Sequence, residues 1–491
     1  MSSNPQKVAI IGAGVAGLAA AVRLTAQGHT VDVFEANSYP GGKLSEWYEG
    51  PYRFDAGPSL FTMPQYVQEL FALAGEGEAD FQFERLPVVC HYFWNDDTRL
   101  KAFADAKKFD EECYQVLDSE MGAEERLLGE ARKKYDLVGQ LFLESSLHKL
   151  STWTNTHVLK AIRKLPQLDV FSNMHQVHKS HTQSDKLVQL FDRFATYNGS
   201  NPYKASGLLS MIPHFEHGFG AYFPKGGMYT IVKEILRLAE KQGAKIHFNR
   251  KVDEILQDGR KVTGIQVGDQ KLYYDTVVSN MDVFFTYEKL LPEIETPNKI
   301  LTQERSTSAL IFYWGIKETF EELGLHNIFF ADNYQKEFQA LSEQKIIDDP
   351  TVYVNISSKL NPSDAPQGCE NWFTMINVPY SHSIDWDIEI PRIREKVLEK
   401  LSRILKRDVR SLIESESILD PRGIEAKTSA YLGALYGSSS NTLFSAFLRQ
   451  ANFSQSLNGL YFCGGTVHPG GGIPLCLLSA KIVAELIDEA E

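Results

Sequence analysis

Cysteine is scarce in this sequence. The 491 residues hold five, Cys90, Cys113, Cys369, Cys463 and Cys476, scattered and with no C-x-x-C among them. That pattern argues against a disulfide framework and for free thiols in a reducing compartment, and it excludes dithiol redox chemistry. Long apolar runs are missing too. None approaches the ~20 residues that a spanning helix needs, so any membrane contact is expected to be peripheral. No secretory leader is expected, because the first strand opens at Lys7, and a cytoplasmic location follows. Positive charge is in deficit: 50 Lys and Arg against 63 Asp and Glu give a net charge of −13, which argues against a nucleic-acid partner. No motif places a Ser/His/Asp set or paired carboxylates. No metal site is expected, although His175 and His178 have the spacing to share a helix face. What remains is 43% hydrophobic and 23% charged, the composition of a globular chain with room for two or three domains.

The most informative stretch is Val8–Ala36. Val8–Ile11 is apolar and mostly β-branched, as a strand buried on both faces should be. Gly12, Gly14 and Gly17 then fit G-x-G-x-x-G at a strand-to-helix junction. The first allows a sharp turn, the second lets a pyrophosphate approach the backbone, and the third lets the helix pack close to the sheet. The helix start offers unpaired N–H groups and partial positive charge. Thr30–Glu35 is the next strand, and Glu35 ends it eighteen residues after Gly17. A carboxylate there accepts hydrogen bonds from a ribose diol and repels a 2′-phosphate, so the stretch binds FAD or NAD rather than NADP.

Further blocks follow in order: a turn Tyr39-Pro40-Gly41-Gly42 with Lys43 supplying a cation near the phosphate end, then the extended piece and turn Phe54–Ser59. The series VAIIGAGVAGLAAA, PGGKL, YRFDAGPSLFTMP, TYNGSNPYKA (Thr196–Ala205), YFPKGGMYTIVKEI (Tyr222–Ile235) and LYFCGGTVHPGGGIPL (Leu460–Leu475) resembles the bacterial phytoene-desaturase type of flavoprotein, which acts on carotenoids. The blocks span nearly the whole chain.

The resemblance implies an α/β fold. A Rossmann-like FAD-binding domain of glutathione-reductase type, as in the flavin amine oxidase and phytoene desaturase superfamily, would be joined by an α+β substrate domain and a helical membrane-associating region. The FAD domain would be assembled from residues 1–75, 225–300 and 420–491, with 76–224 as the helical, membrane-associating region and 301–419 as the substrate-domain sheet. FAD would be held by Gly12, Gly14, Val15, Ala16, Gly17, Glu35, Ala36, Gly41, Gly42, Lys43, Gly57, Pro58, Ser59, Val252, Asn280, Gly464, Gly465, Gly472, Ile473 and Pro474. The closing strand–glycine–helix unit, Leu460–Phe462 followed by Pro474–Ile487, tips the choice from NAD to FAD. Two positions depart from the family pattern: Thr466 replaces an acid after the glycine pair, and Leu475 replaces a glycine after Ile-Pro. Cys463 and Cys476 read as buried, inert thiols.

The implied chemistry is dehydrogenation of a C–C single bond beside a polyene, with hydride to flavin N5 and loss of a proton. His468, in the flavin-side turn, is the first candidate proton acceptor and the Glu216–His217 pair the second. The versions FEANSYPGGK and GPSLFTMPQYV look most like the branch acting on 1-hydroxycarotenoids at the 3,4 bond, with any hydroxyl-reading groups at a tunnel end. A multistep phytoene desaturase, a non-redox carotenoid isomerase and a flavin amine oxidase are the alternatives. Oxygen or a quinone would take the electrons. Ser145–Lys186, with six Lys and Arg against two acids, reads either as a surface resting on anionic lipid at the inner face of the membrane or as a solvated basic face.

Overall fold

The computed structural model describes residues 4–149, 152, 168–442 and 449–490. Of the basic stretch, Trp153, His157, Val158 and Ile162 lie outside the described residues.

Strand Lys7–Ile11 sends Val8 and Ile10 to one face and Ala9 and Ile11 to the other, and both faces are buried. It is the centre of a five-stranded parallel sheet in the order Lys245–His247, Thr30–Phe34, Lys7–Ile11, Thr276–Ser279, Leu460–Phe462. Parallel pairing needs crossovers, and the crossovers cover the faces. Helices Val15–Gln27, Thr230–Lys241 and Ile473–Glu489 pack on one side. A Cβ on Gly17 would lie 2.1 Å from the Gly12 carbonyl, so this turn of the helix closes onto the sheet only as glycine. A three-stranded antiparallel sheet, Glu254–Asp258, Lys261–Val267 and Gln270–Tyr273, covers the other side. The stretch 271–279 divides between two strands, Gln270–Tyr273 and Thr276–Ser279. Asp275 leaves the antiparallel sheet and its carboxylate accepts the Lys7 N–H at 2.8 Å, which pins the start of the next parallel strand.

The second sheet has seven strands, in the order Ile413–Leu419, Ser308–Ile316, Glu370–Val378, Val352–Asn355, His326–Phe329, Val88–Phe93, Arg99–Phe103. Its one parallel pair among the described residues, His326–Phe329 with Val88–Phe93, joins residues 88–103 to the 301–419 piece, so those two pieces share one sheet. Phe312, Trp314 and Trp372 face the helix Trp386–Leu405. Ile311, Tyr313, Phe373 and Met375 alternate with them and face the opposite way, into the cavity described below. Asp385 caps the start of that helix by accepting the Asp387 N–H. The strand Ile413–Leu419 and the hairpin Glu46–Glu49/Tyr52–Asp55 carry too much charge to read as strands from pattern alone.

The charged run 105–149 forms two helices, Ala106–Val116 and Ala123–Glu144. They separate where Gly122 adopts φ 78° and gives its N–H to Asp110. Helices Met174–His181 and Asp185–Asp192 follow. His175 and His178 do share a face, and each gives its Nδ1 to one oxygen of Asp192 at 2.7 Å. The chain then runs through short 3-10 turns, Arg193–Asn198 and Gly207–Met211, into a π-helical turn, His214–Gly218, an irregularity found often at functional sites.

Candidate functional site

A cavity of about 1210 Å³ begins at the carboxyl ends of strands Lys7–Ile11 and Thr30–Phe34 and continues between the seven-stranded sheet and the helical layer. Ligands in open α/β sheets sit outside the carboxyl ends of the strands, where the order reverses.

Glu35 and Val252 line one end. The Glu35 carboxylate accepts the Ala13 N–H on Oε2 and the Asn37 N–H on Oε1, each at 2.8 Å, with Asn37 Nδ2 a second donor to Oε1 at 3.0 Å, which fixes its direction and leaves Oε2 a lone pair for a diol. Next comes the start of helix Val15–Gln27, which has no side-chain cap and no acid in its first turn. Its N–H groups are therefore open to an anion. Gly14 and Gly41 bridge there, and a Cβ on Gly42 would lie 3.6 Å from the Gly14 Cα. Asn280, at the end of Thr276–Ser279, sits at the junction: a Cβ on Gly14 would lie 2.6 Å from its Nδ2, and one on Gly464 2.6 Å from its Oδ1. Helix Ile473–Glu489 presents a second uncapped, acid-free N-terminus, and a Cβ on its N-cap Gly472 would meet nothing within 4 Å. A carboxylate, two open helix starts and glycine cradles in series match the ribose, pyrophosphate and flavin parts of FAD. The residues present fit that cofactor.

Of the expected cofactor-binding residues, Gly17 acts through packing, and all the others line the cavity. Lys43 lines the cavity, and its ammonium donates to the carbonyls of Ala434 at 3.0 Å and Leu435 at 2.6 Å, while burial lowers its pKa. The His468 ring is buried outside the cavity lining, with Nε2 3.0 Å from the Ser145 carbonyl. Thr466 uses its hydroxyl to accept the Val283 N–H at the start of a neighbouring helix. Leu475 lines the cavity. Burial pushes the Cys476 thiol up to about 11 and the Cys463 thiol higher still, so both stay protonated.

Beyond the glycines the lining turns apolar, with Val89, Leu209, Ile212, Phe215 and Ile328 among its residues. One polar cluster interrupts it. Arg193, 5% exposed, donates to Glu216, 1% exposed, at 3.0 Å and to the Tyr197 hydroxyl at 2.8 Å. Tyr197 in turn donates to the other Glu216 oxygen. The guanidinium lies over the Phe194 ring at 4.4 Å. Beside this cluster the Tyr353 hydroxyl bridges Ser59 Oγ at 2.6 Å and His326 Nδ1 at 2.7 Å. Arg193, Tyr353 and His326 were not singled out from the sequence. An arginine between Phe191 and Phe194 was a signal for the first; nothing around His326 marked it.

His217 stacks on Phe109 at 4.9 Å. Burial lowers its pKa from 6.5 to about 4, and does the same for His326. Both rings are neutral in the folded protein, while the unfolded chain binds protons below 6.5. Stability is therefore full above pH 6.5 and falls as pH drops towards 4, by about 1.4 kcal/mol per unit for each ring. The thermal midpoint is expected to fall between pH 6.5 and 4.5, and less steeply in His217→Phe. Equal slopes would mean that His217 takes up its proton in the folded state.

The model of the flavin containing amine oxidoreductase family matches residues 15–488. A 1-hydroxycarotenoid 3,4-desaturase of Flavobacterium sp. (strain P99-3) is 48% identical over 483 residues, covering 98% of this chain and 99% of the relative. A 4,4'-diapolycopene oxygenase of Methylomonas sp is 31% identical over 495 residues, 99% of each chain. The solved cyclohexylamine oxidase of Brevibacterium oxydans IH-35A superposes with a TM-score of 0.63 at 16% identity over 99% of both chains, a likeness of fold alone.

Proposed function

We propose that this chain, which belongs to the flavin containing amine oxidoreductase family, desaturates the 3,4 bond of a 1-hydroxycarotenoid. It is an FAD-dependent oxidoreductase. The observation that carries the substrate assignment is 48% identity, along the full length, to a relative named for that reaction. The cavity agrees with it, because the FAD cradle opens into an apolar chamber of the kind a long polyene needs.

When bound, FAD supplies a hydride acceptor at N5 of its isoalloxazine ring. The two helix starts and Glu35 bind the cofactor, and Asn280 ties the three chain segments that surround it. The apolar walls exclude water and align the polyene, which spreads transient positive charge along its own length. The proton leaves the carbon next to the one that loses hydride. The two electrons pass finally to oxygen or a quinone.

Substrate of this kind comes from a membrane. No helix among the described residues is long and apolar enough to cross one. Contact at the inner face is supported by Phe171, 95% exposed, and by the excess of cations in Ser145–Lys186, of which Lys149, Lys179 and Lys186 are paired with Glu489, Asp185 and Asp96.

Incubation of the flavoprotein with a 1-hydroxycarotenoid is expected to give one product whose absorption is red-shifted by a single added conjugated double bond. Preferential use of phytoene, with several bonds added, would replace this reading by the multistep one.

A further inference from the structure

The polar cluster in the apolar part of the cavity carries one step more. His326 is 4% exposed and lines the cavity. Its Nε2 has no hydrogen-bond partner among the described residues. The neighbouring amide decides which nitrogen holds the proton. Asn355 Nδ2 donates to the Leu325 carbonyl at 3.1 Å, which fixes the orientation of the amide, and the same nitrogen lies 3.2 Å from His326 Nδ1. An amide nitrogen only donates, and the Tyr353 hydroxyl, 2.7 Å from the same Nδ1, donates to it while accepting from Ser59, so Nδ1 accepts and the proton sits on Nε2. A buried donor without a partner, in a mostly apolar wall, points to a polar group on the ligand.

Its surroundings complete a two-point site. Glu216 lines the same cavity, and its charge and that of Arg193 both act on the His326 ring. Each Glu216 oxygen accepts one bond, from Arg193 or from Tyr197, and keeps one acceptor site. An alcohol needs one donor and one acceptor, and this pair offers both. Location agrees. Ser59 belongs to the Gly57–Ser59 turn of the cofactor cradle, and through Tyr353 it holds His326 next to that turn. In a 1-hydroxycarotenoid desaturated at the 3,4 bond, the hydroxyl carbon is only two bonds from the nearer reacting carbon. The groups that read it must therefore stand beside the flavin, and not at the far end of the chamber.

We propose that His326 Nε2–H and the Glu216 carboxylate bind the substrate's tertiary hydroxyl, and that this pair sets the preference for a hydroxylated end and places the 3,4 bond for oxidation. The inference rests on the desaturase reading above. Arg193, Tyr197 and Tyr353 are positioning residues: they orient the two groups that touch the hydroxyl.

The test compares a 1-hydroxycarotenoid with the same polyene carrying hydrogen in place of the hydroxyl, in wild type, His326→Phe and His326→Gln, each checked for full flavin content. Wild type is expected to favour the hydroxylated substrate in kcat/KM by at least about 100-fold. In His326→Phe the ratio should fall to within about fivefold, mostly through KM for the hydroxylated substrate, and His326→Gln, which keeps an N–H donor, should recover much of it. If wild type discriminates and His326→Phe discriminates equally, the desaturase reading stands and the His326 assignment is wrong. If His326→Phe lowers turnover of both polyenes by the same factor, the ring serves the chemistry and not the hydroxyl, and the proposal is again overturned. Turnover of neither polyene by flavin-loaded wild type would remove the desaturase reading itself.

Discussion

Gly14→Val is expected to purify with less than about a tenth of the wild-type flavin, because its side chain enters the space where backbone and cofactor must meet. A Cβ at this position already lies 2.6 Å from Asn280 Nδ2, so the branched side chain displaces Asn280 as well as the pyrophosphate. The loss should be local, since the helix from Val15 keeps its packing on the sheet through Leu18, Ala19 and Val22. Glu35→Ala should also strip flavin. It removes the acceptor for the ribose and frees the Ala13 and Asn37 N–H groups that Glu35 holds. Flavin absorbance per mole of protein, with far-ultraviolet circular dichroism as the control for folding, reads both. Normal flavin content in the two variants would be incompatible with the site.

Arg193→Leu is expected to cost about 3–5 kcal/mol of stability, the usual result of leaving one half of a buried ion pair behind. The guanidinium is 7% exposed at its side chain and Glu216 1%, and in the variant the carboxylate keeps only Tyr197 as a donor. Arg193→Leu combined with Glu216→Leu should recover most of the stability, because no uncompensated charge remains. It should not recover turnover of a hydroxylated polyene. Urea midpoints and steady-state rates separate the two effects. Recovery of both in the double variant would make the ion pair a structural element only.

The cofactor half of the molecule was legible in the sequence because its constraints are local. Gly12, Gly14 and Gly17 sit at fixed offsets from a β-branched strand, and Glu35 ends the next one. The turn around Gly464 and the helix behind Gly472 repeat the same logic at the other end of the chain. The substrate half was only partly legible: Ser59 and the Glu216–His217 pair stood out, for other roles, but not their meeting with Arg193 and His326, because the groups come from four distant stretches. Ser59, Arg193, Glu216 and His326 meet only through the pairing of strand His326–Phe329 with Val88–Phe93 and the irregular turns after Asp192. A histidine in a glycine-rich turn such as His468 looks available in the sequence, while in the fold its ring faces the Ser145 carbonyl. At Lys43 the charge was visible in the sequence, but not the two carbonyls to which it donates.

The central claim is that one cavity holds FAD at one end and a carotenoid at the other, and that electrons pass between them. Anaerobic mixing of the flavin-loaded protein with one equivalent of a 1-hydroxycarotenoid tests it most directly. The flavin absorbance should bleach while an equal amount of polyene with one more conjugated double bond appears. A flavin that stays oxidised while only the cis/trans content of the polyene changes, or one that is bleached by an amine and not by the carotenoid, would contradict it.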